Sequence, residues 1–452
     1  MKGRAITETL SWRLARNEGG NGDGIGIREK IESKSKIKIM SKSKSMSKGT
    51  MRGKRTLKFT AAATLPAGFR AAGIVAGLKK SGRPDMAMFF SERPAAVAGT
   101  FTTNQVKAAT VRLDAGRVAS VGIARGIVVN SGQANACTGK NGLRDAQAMA
   151  AHAARQFGVP ADHFLVCSTG RIGVPLRMDL ILPGIEKLAQ AVRPAGGESA
   201  ARGIMTTDTR PKRFTTTFAV DGRTCRVTGI AKGAGMIQPC MATMLAFLLT
   251  DAKVARRAMQ KALKAAVDKS FNRITVDADQ STNDTVLMLA NGCAGNNALQ
   301  PGHRDWPAFV AALEGVTFRL AMEMVRDGEG AQKMVAVRVQ GARTPADAEA
   351  AARSVANSFL VKTSWVGTYP NWGRIMDALG YSPAQVDETK VEMRYGNLLA
   401  VKNGLKAGAS IEQLSKVAAR KEFAITIDLH LGRHAATVYS CDCTEEYVKI
   451  NK

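Results

Sequence analysis

Residues 232–252 read KGAGMIQPCMATMLAFLLTDA, and the two halves of this segment differ in character. The first half is rich in glycine and methionine, whereas the second is a continuous apolar run. A short apolar run after turn-forming residues is typical of a strand buried on both faces, although the start of a buried helix would look the same. The two halves join at Ala242 and Thr243, so a hydroxyl group stands at the entrance to the buried segment.

Strand-like and helix-like segments are mixed along the rest of the chain, which predicts an α/β or α+β fold. Residues 126–139 and 163–173 are apolar runs that end in loops of glycine, serine and asparagine. An alanine-rich helix is predicted between them at residues 145–158. The two strand-and-loop units therefore repeat one plan, with polar loop residues following a buried strand.

Two further local patterns predict specific structure. Asp251 precedes a helical pattern at residues 252–271, so we expect its side chain to cap that helix. Apolar residues alternate with polar ones at residues 423–429, which predicts a strand. Residues 431–434 are expected to turn the chain into a hairpin with a second strand at residues 435–443.

The first 55 residues carry fifteen lysines and arginines against five acidic residues, a large share of the net charge of +28. They are rich in serine and lysine, so we expect residues 1–55 to be a disordered basic tail. The tail lacks the apolar core of a secretory signal, and its acidic residues argue against a mitochondrial transit peptide. We therefore expect a cytoplasmic protein, with the mitochondrial matrix as the alternative.

Composition argues against several classes of partner. The seven cysteines include no CxxC pair and the five histidines no HExxH pair, so neither a metal site nor a histidine triad is predicted. Basic residues are not interleaved with aromatic ones, which make up 5% of the chain, so we expect no nucleic acid. No apolar run reaches the roughly 18 residues that span a bilayer, and we expect no membrane partner.

Thr243 is the candidate nucleophile. A threonine hydroxyl attacks a carbonyl weakly unless a base lies beside it, and no histidine is near this segment. Cleavage of the Ala242–Thr243 bond would supply that base, because a free α-amine has a pKa of about 8 and lies within reach of the hydroxyl. Gly233 and Gly235 allow the strained backbone that cleavage requires. Chemistry alone leaves an ordinary strand threonine as the alternative.

The segment resembles the self-processing signature of the ornithine acetyltransferase family, also called the glutamate N-acetyltransferase family, of arginine biosynthesis. Further motifs of that family follow in the same order: AGTFTTNQVKAATV, NSGQANACTG, STGRIG, MTTDTRPK, SFNRITVDADQSTNDT, RDGEGAQK, PNWGRI and YVKIN. The resemblance implies an α/β fold of two sheets sandwiched between helices, similar in plan to N-terminal-nucleophile hydrolases, with a smaller C-terminal α/β domain.

The resemblance also implies how the chain is processed. A precursor of this family cleaves itself before the threonine that later carries the acetyl group, which here is the bond between Ala242 and Thr243. The products would be an α chain of residues 56–242 and a β chain of residues 243–452. They are expected to stay together, with two copies of each in a heterotetramer.

Pocket residues follow from the same motifs. Thr169 and Gly170 in STGRIG match the oxyanion-hole pair, which supplies a hydroxyl and a backbone N–H to a tetrahedral intermediate. Lys232 matches a substrate-contacting lysine, and a cation there suits a carboxylate. Thr206 matches a substrate-contacting threonine, and Glu329 an acid that pairs with an α-ammonium. Outside the family, a glycine turn, a surface lysine and a solvated loop glutamate are the ordinary interpretations.

Asn451 in YVKIN matches the asparagine of a C-terminal arm that lines the same pocket. The arm of the family usually continues to a serine or threonine that contacts substrate, whereas this sequence stops at Lys452. STNDT and PNWGRI are also similar to family motifs, and we interpret both as architectural. We expect the chemistry to be intact and the affinity for substrate to differ.

The implied reaction is a ping-pong transfer of an acetyl group from N2-acetylornithine to glutamate, with Thr243 as carrier and no metal or cofactor. Some members of the family also use acetyl-CoA as donor, and the sequence leaves this open. Three alternatives remain. They are an aminopeptidase or amidohydrolase with the same nucleophile and water as acceptor, a basic nucleic-acid-binding protein, and an inactive scaffold.

Overall fold

The computed structural model describes residues 57–238 and 244–452, and within them the strands form two sheets. The predicted tail at residues 1–55 lies outside the described residues. Ala242 and Thr243 also lie outside them. The predicted division into an α chain and a β chain at this point therefore stays a prediction.

The larger sheet has nine strands. They are β1 (Phe59–Thr60), β2 (Phe69–Ile74), β3 (Met86–Phe101), β4 (Ile123–Gln133), β5 (Phe164–Arg171), β6 (Lys212–Val220), β7 (Arg223–Lys232), β8 (Leu245–Thr250) and β9 (Thr285–Ala290). Their order in the sheet is β1-β6-β7-β8-β9-β3-β4-β5, and β2 pairs with β3 off this path.

Strand β3 divides this sheet into two layers. Its residues 86–91 pair with β2, whereas its residues 96–101 pair with β9. The ladder to β4 shifts register between the two halves, around Pro94, which has no N–H to give to a ladder. Side chains of both layers share one core cluster, in which the rings of Phe89 and Phe247 lie 5.0 Å apart. The two layers therefore pack face to face.

Helices cover the outer faces of both layers. They are α1 (Ala109–Ser120), α2 (Gly139–Gln156), α3 (Met178–Ala191), α5 (Arg256–Asp268) and α6 (Trp306–Arg326), whereas α4 (Gly197–Gly203) contributes Ala200 and Ala201 to the core shared by the two layers. α2 and α3 pack on the layer of β4 and β5, and α5 and α6 pack on the layer of β7 to β9. The predicted sandwich of two sheet layers between helices is confirmed.

Strand β8 is buried on both faces, as its apolar run predicts. Leu245, Phe247 and Leu249 point between the two sheet layers. Ala246 and Leu248 point the other way, toward α5 and α6. A strand with helices on one side and a second sheet layer on the other has no polar face, so its residues need not alternate.

The C-terminal region forms a second, smaller α/β unit with its own apolar core. Its elements are β10 (Met334–Ala342), α7 (Pro345–Asn357), α8 (Phe359–Val366), α9 (Trp372–Gly380), β11 (Glu392–Tyr395), β12 (Leu398–Lys402), β13 (Leu405–Lys406), α10 (Ile411–Ala418), β14 (Glu422–Asp428), β15 (His434–Cys441) and α11 (Glu445–Asn451). The six-stranded sheet has the order β13-β12-β11-β14-β10-β15, so the predicted smaller domain is present.

The predicted hairpin of β14 with β15 is wrong, because β10 lies between the two strands. β10 pairs in parallel with β14, matching Val335, Val337 and Val339 with residues 423, 425 and 427. On its other edge it pairs antiparallel with β15. The alternating valines of β10 and the alternating apolar residues of β14 belong to one buried core, and this pairing outweighs the local turn signal.

The predicted cap of Asp251 on the following helix is also wrong. α5 begins only at Arg256, because Val254 is extended and bridges to Leu299. The carboxylate of Asp251 instead accepts hydrogen bonds from the backbone N–H groups of Arg226 (2.7 Å) and Ala67 (3.1 Å). It therefore joins the end of β8 to neighbouring segments.

None of the helices in residues 57–238 and 244–452 combines the length and apolarity required to cross a bilayer.

Candidate active site

The ends of β5 and β7 bring Thr169 and Lys232 together. Lys232 is the last residue of β7, and its Nζ lies 3.4 Å from Oγ1 of Thr169. Both side chains are buried. Burial lowers the pKa of Lys232, while the carboxylate of Asp208 opposes the shift. A buried ammonium beside a hydroxyl offers two donors to an anionic or carbonyl oxygen.

Gly170 follows Thr169 at a point where two backbones nearly touch. It pairs with Gly132 of β4, and a Cβ on Gly170 would lie 2.3 Å from the carbonyl carbon of Gly132. Its φ of 133° is also one that L side chains rarely adopt. Position 170 therefore requires glycine for the end of β5 to keep this conformation.

Thr206 is connected to the same region through Asp208. The carboxylate of Asp208 accepts hydrogen bonds from the N–H of Thr206 (3.0 Å) and from the N–H of Gly233 (2.7 Å). Thr206 is half-buried, whereas Thr207 is exposed. The structure therefore separates these two threonines, which the sequence does not, and connects Thr206 to the residue that follows Lys232.

Glu329 and Asn451 meet on the other side of the loop that follows β7. Asn451 Nδ2 donates to Glu329 Oε2 at 2.7 Å, and the N–H of Glu329 donates to the carbonyl of Ala234 at 2.8 Å. A Cβ on Gly235 would lie 2.4 Å from the Glu329 carboxylate, so a side chain at position 235 would displace that carboxylate. Glu329 also acts electrostatically on Lys232. Two of the predicted pocket residues, Glu329 and Asn451, are thus in direct contact.

A buried charge cluster, which the sequence analysis missed, lies beneath these residues. Lys212 Nζ lies 2.6 Å from Asp208 Oδ1 and 2.5 Å from Asp327 Oδ2, and all three side chains are buried. Burial favours a raised pKa for Asp208, but Lys212 and Lys232 hold it below its usual range. The cluster connects the segment of Thr206 with that of Glu329, which follows Asp327 by two residues. The sequence signal for this cluster was the presence of Asp208 and Lys212 in MTTDTRPK and of Asp327 in RDGEGAQK.

Lys212→Ala is expected to lower the free energy of unfolding by about 3–5 kcal/mol, because it removes the buried cation that lies between the carboxylates of Asp208 and Asp327. Urea unfolding at neutral pH measures this change. Lys264→Ala is the matched control, since Lys264 pairs with Asp268 at the surface. The control is expected to change stability little. A loss below about 1 kcal/mol for Lys212→Ala would show that the cluster contributes little to stability.

The described residues on either side of Ala242 and Thr243 are held by two buried carboxyl groups. Asp277 accepts from the N–H of Ile237 at 2.8 Å, and Asp284 accepts from the N–H of Met244 at 2.8 Å. Lys232 pairs with Leu245 across β7 and β8. Met244, the first described residue after position 243, therefore lies beside the end of β7 that carries Lys232.

The STNDT motif connects this point to the end of β5. Asn283 Nδ2 donates to the carbonyls of Ala134 (2.6 Å) and Ser168 (2.8 Å), and Ser168 precedes Thr169. Asn283 thus gives the motif the architectural role that the sequence predicts. Its side chain fixes the backbone of β5 just before Thr169 and Gly170, the predicted oxyanion-hole pair.

Within the described residues, one group of side chains has the composition of a metal site, namely Asp221, His303 and Asp305. Asp221 lies in the turn before β7, at the opposite end of that strand from Lys232. His303 Nε2 lies 3.3 Å from Asp221 Oδ1, and the exposed Arg304 lies 3.6 Å from the same oxygen. These groups pair with one another and are remote from the candidate active site.

Comparison with known proteins identifies the family. The ArgJ family model matches residues 70–452. This chain belongs to the ArgJ family. The arginine biosynthesis bifunctional protein ArgJ of Symbiobacterium thermophilum is 49% identical over 390 residues, which are 86% of this chain and 97% of the relative. The protein of the same name from Geobacter sulfurreducens is 49% identical over 385 residues, 85% of this chain and 98% of the relative.

Two solved structures also match. The arginine biosynthesis bifunctional protein of Bacillus halodurans is 39% identical, and the match covers 45% of this chain and 97% of that chain with a TM-score of 0.44. An ornithine acetyltransferase of Mycobacterium tuberculosis, solved with ornithine, is 40% identical and covers 41% of this chain and 98% of that chain with a TM-score of 0.38. The family membership predicted from the motifs is confirmed by the family model and by the two relatives of 49% sequence identity.

Proposed function

We propose that this ArgJ chain is an acetyltransferase that moves an acetyl group from N2-acetylornithine to the amine of glutamate, with Thr243 as carrier. The observation that carries the proposal is the contact of Lys232 with Thr169 at the strand end beside Met244. A buried cation and a hydroxyl therefore lie next to Met244, the residue that follows the candidate nucleophile. Arginine biosynthesis, which appears in the names of the relatives, supports this choice of substrates.

The transfer proceeds in two half-reactions, acetylation of Thr243 and its deacetylation by glutamate. The Thr243 hydroxyl attacks the acetyl carbonyl while its α-amine accepts the proton, and the hydroxyl of Thr169 with the N–H of Gly170 holds the oxyanion. The C–N bond to ornithine breaks, and the leaving amine takes the proton from the α-ammonium. The amine of glutamate then attacks the acetyl-threonine ester and gives a proton to the α-amine. The ester C–O bond breaks, and the α-ammonium returns the proton to the threonine oxygen.

Substrate binding in this proposal uses the surrounding charged and polar groups. Lys232 pairs with the substrate carboxylate, while Glu329, supported by Asn451, receives the amino group that leaves or arrives. Thr206 lines the same pocket. No metal or cofactor takes part, and acetyl-CoA is an open second donor. Self-cleavage before Thr243 yields two chains that stay associated as two copies of each, in the cytoplasm.

The deciding experiment uses the purified wild-type protein. We expect two bands on a denaturing gel, the smaller beginning at Thr243 by N-terminal sequencing, and N-acetylglutamate as product from N2-acetylornithine and glutamate. A parallel reaction with acetyl-CoA in place of N2-acetylornithine tests the second donor. Release of acetate alone would favour the hydrolase alternative, and an uncleaved active protein would contradict the mechanism.

A further inference from the structure

Asp85 shapes the loop that carries Lys79. Its buried carboxylate accepts hydrogen bonds from four consecutive backbone N–H groups, those of residues 76–79, at 2.6–3.1 Å. Hydrogen bonds to an ionised carboxylate are among the stronger ones in proteins, so four of them leave the loop little freedom. The backbone from which the Lys79 side chain extends is therefore well defined.

This loop contacts two parts of the candidate active site. A Cβ on Gly132 of β4 would lie 3.4 Å from the carbonyl oxygen of Leu78, and Gly132 pairs with Gly170. Lys79 Nζ donates to the carbonyl of Met205 at 2.6 Å, and the residue after Met205 is the predicted substrate-contacting threonine. Lys79 thus joins the segment of that threonine to the loop that packs on β4 beside the predicted oxyanion hole.

The ammonium of Lys79 contacts carbonyl oxygens rather than a carboxylate. Within residues 57–238 and 244–452, its hydrogen bonds go to the carbonyls of Met205 and Pro84, the latter at 2.8 Å. An ammonium group has three hydrogens, so one remains for another acceptor. The side chain is half-buried. A cation that is partly withdrawn from water favours an anionic partner, and a bound anion would supply it.

Charged groups around Lys79 connect it with the candidate site. Burial lowers the pKa of Lys79 to about 8; the carboxylates of Asp85 and Asp208 oppose this shift, and the cations of Lys232 and Arg83 add to it. The ammonium groups of Lys79 and Lys232 are therefore close enough to repel each other. An anion bound in this region would be attracted by both.

The two substrates of the proposed transfer differ at the ends of their side chains. N2-acetylornithine carries an ammonium there, whereas glutamate carries a second carboxylate. The pocket residues predicted from the motifs include one cation, Lys232, which pairs with the carboxylate that both substrates share. The second carboxylate of glutamate lies at the other end of the molecule and needs a cation of its own.

We propose that Lys79 is the residue that selects the acetyl acceptor: its ammonium pairs with the side-chain carboxylate of glutamate, while Lys232 holds the carboxylate common to both substrates. This inference rests on the proposed function. Lys79 gives no such support to N2-acetylornithine, because it repels the side-chain ammonium of that substrate. Lys79 therefore assists the deacetylation of the enzyme by glutamate and not its acetylation.

Lys79→Met tests the proposal, because methionine keeps an unbranched side chain and removes the charge. We expect kcat/KM for glutamate to fall about 10- to 100-fold. The kcat/KM for N2-acetylornithine should stay within about threefold of the wild-type value, since each constant of a ping-pong reaction reports its own half-reaction. A purely structural role, such as holding Met205, would lower both constants together.

Glutamine as acceptor separates charge from shape, because it has the shape of glutamate and a neutral amide. We expect the wild type to prefer glutamate, and Lys79→Met to lose about tenfold or more of that preference. The wild-type preference should also weaken as the pH rises from about 7 to about 9, because Lys79 has a pKa of about 8 and loses its charge in this range. This second measurement needs no variant.

Two further variants serve as controls. Lys80→Met is the matched one, because Lys80 is the next residue and is exposed. It should leave both kcat/KM values and the preference for glutamate unchanged. Lys79→Arg keeps a cation at position 79 and should retain a preference for glutamate over glutamine.

The outcomes separate this inference from the proposed function. A wild type that transfers no acetyl group contradicts the proposed function itself. With an active wild type, equal use of glutamate and glutamine overturns the role of Lys79 alone. So does a Lys79→Met protein that keeps the wild-type preference or loses both kcat/KM values in parallel. If that variant fails to fold, a wild-type preference that stays constant over the pH range overturns the role.

Discussion

Thr243→Ala is expected to leave the purified protein as one full-length chain and to lower acetyl transfer more than about a thousandfold. The substitution removes the hydroxyl that would attack the carbonyl of Ala242. Without cleavage, position 243 also has no free α-amine to act as a base. Nucleophile and base are therefore lost together, which is why this effect should be the largest of any single substitution.

A denaturing gel and the transfer assay measure the two losses separately. Thr243→Ser is the matched control, because it keeps a hydroxyl and, after cleavage, an α-amine. We expect the serine variant to be cleaved and to retain measurable transfer. Full activity in an uncleaved Thr243→Ala protein would show that the acetyl group travels by another route.

Thr169→Val is expected to lower kcat about 10²–10³-fold. Valine keeps the shape of threonine and removes the hydroxyl that lies 3.4 Å from Lys232 Nζ. The loss should appear in kcat more than in KM, because the oxyanion exists only after attack. Steady-state kinetics on cleaved protein measures both constants.

Thr250→Val is the control for that substitution. Thr250 is also a buried threonine, lies at the far end of β8, and donates its hydroxyl to the carbonyl of Arg226 at 2.7 Å. It should lose about 1 kcal/mol of stability and no kcat. Equal kcat values for the two valine variants would exclude an oxyanion role for Thr169.

Local patterns were sufficient for the elements that bury their own apolar residues. The apolar run of β8 and the strand-and-loop units ending at residues 139 and 173 predict strands, because all residues of β8 and most residues of β4 and β5 are buried. The hairpin of β14 and β15 could not be predicted correctly. Its error comes from β10, which lies about 80 residues earlier and leaves no trace in the local turn signal.

In the candidate site, too, the sequence predicts the individual residues but not the contacts between them. Motifs identified Thr169, Lys232, Glu329 and Asn451 one by one, since each residue type fits a chemical task. Contacts between them depend on β5, β7 and the segments after α6 and β15 meeting in space. Lys212 illustrates the limit, because in the sequence it is one of 65 lysines and arginines. Only its burial between Asp208 and Asp327 distinguishes it from the rest.

By itself, the sequence determined the family, the α/β class and the residue types that the chemistry needs, because these depend on composition and order along the chain. Tertiary structure alone decided which strands pair and which charges are buried together. The reason is physical: a hydrogen bond or an ion pair depends on distance in space, and segments far apart in sequence supply both partners.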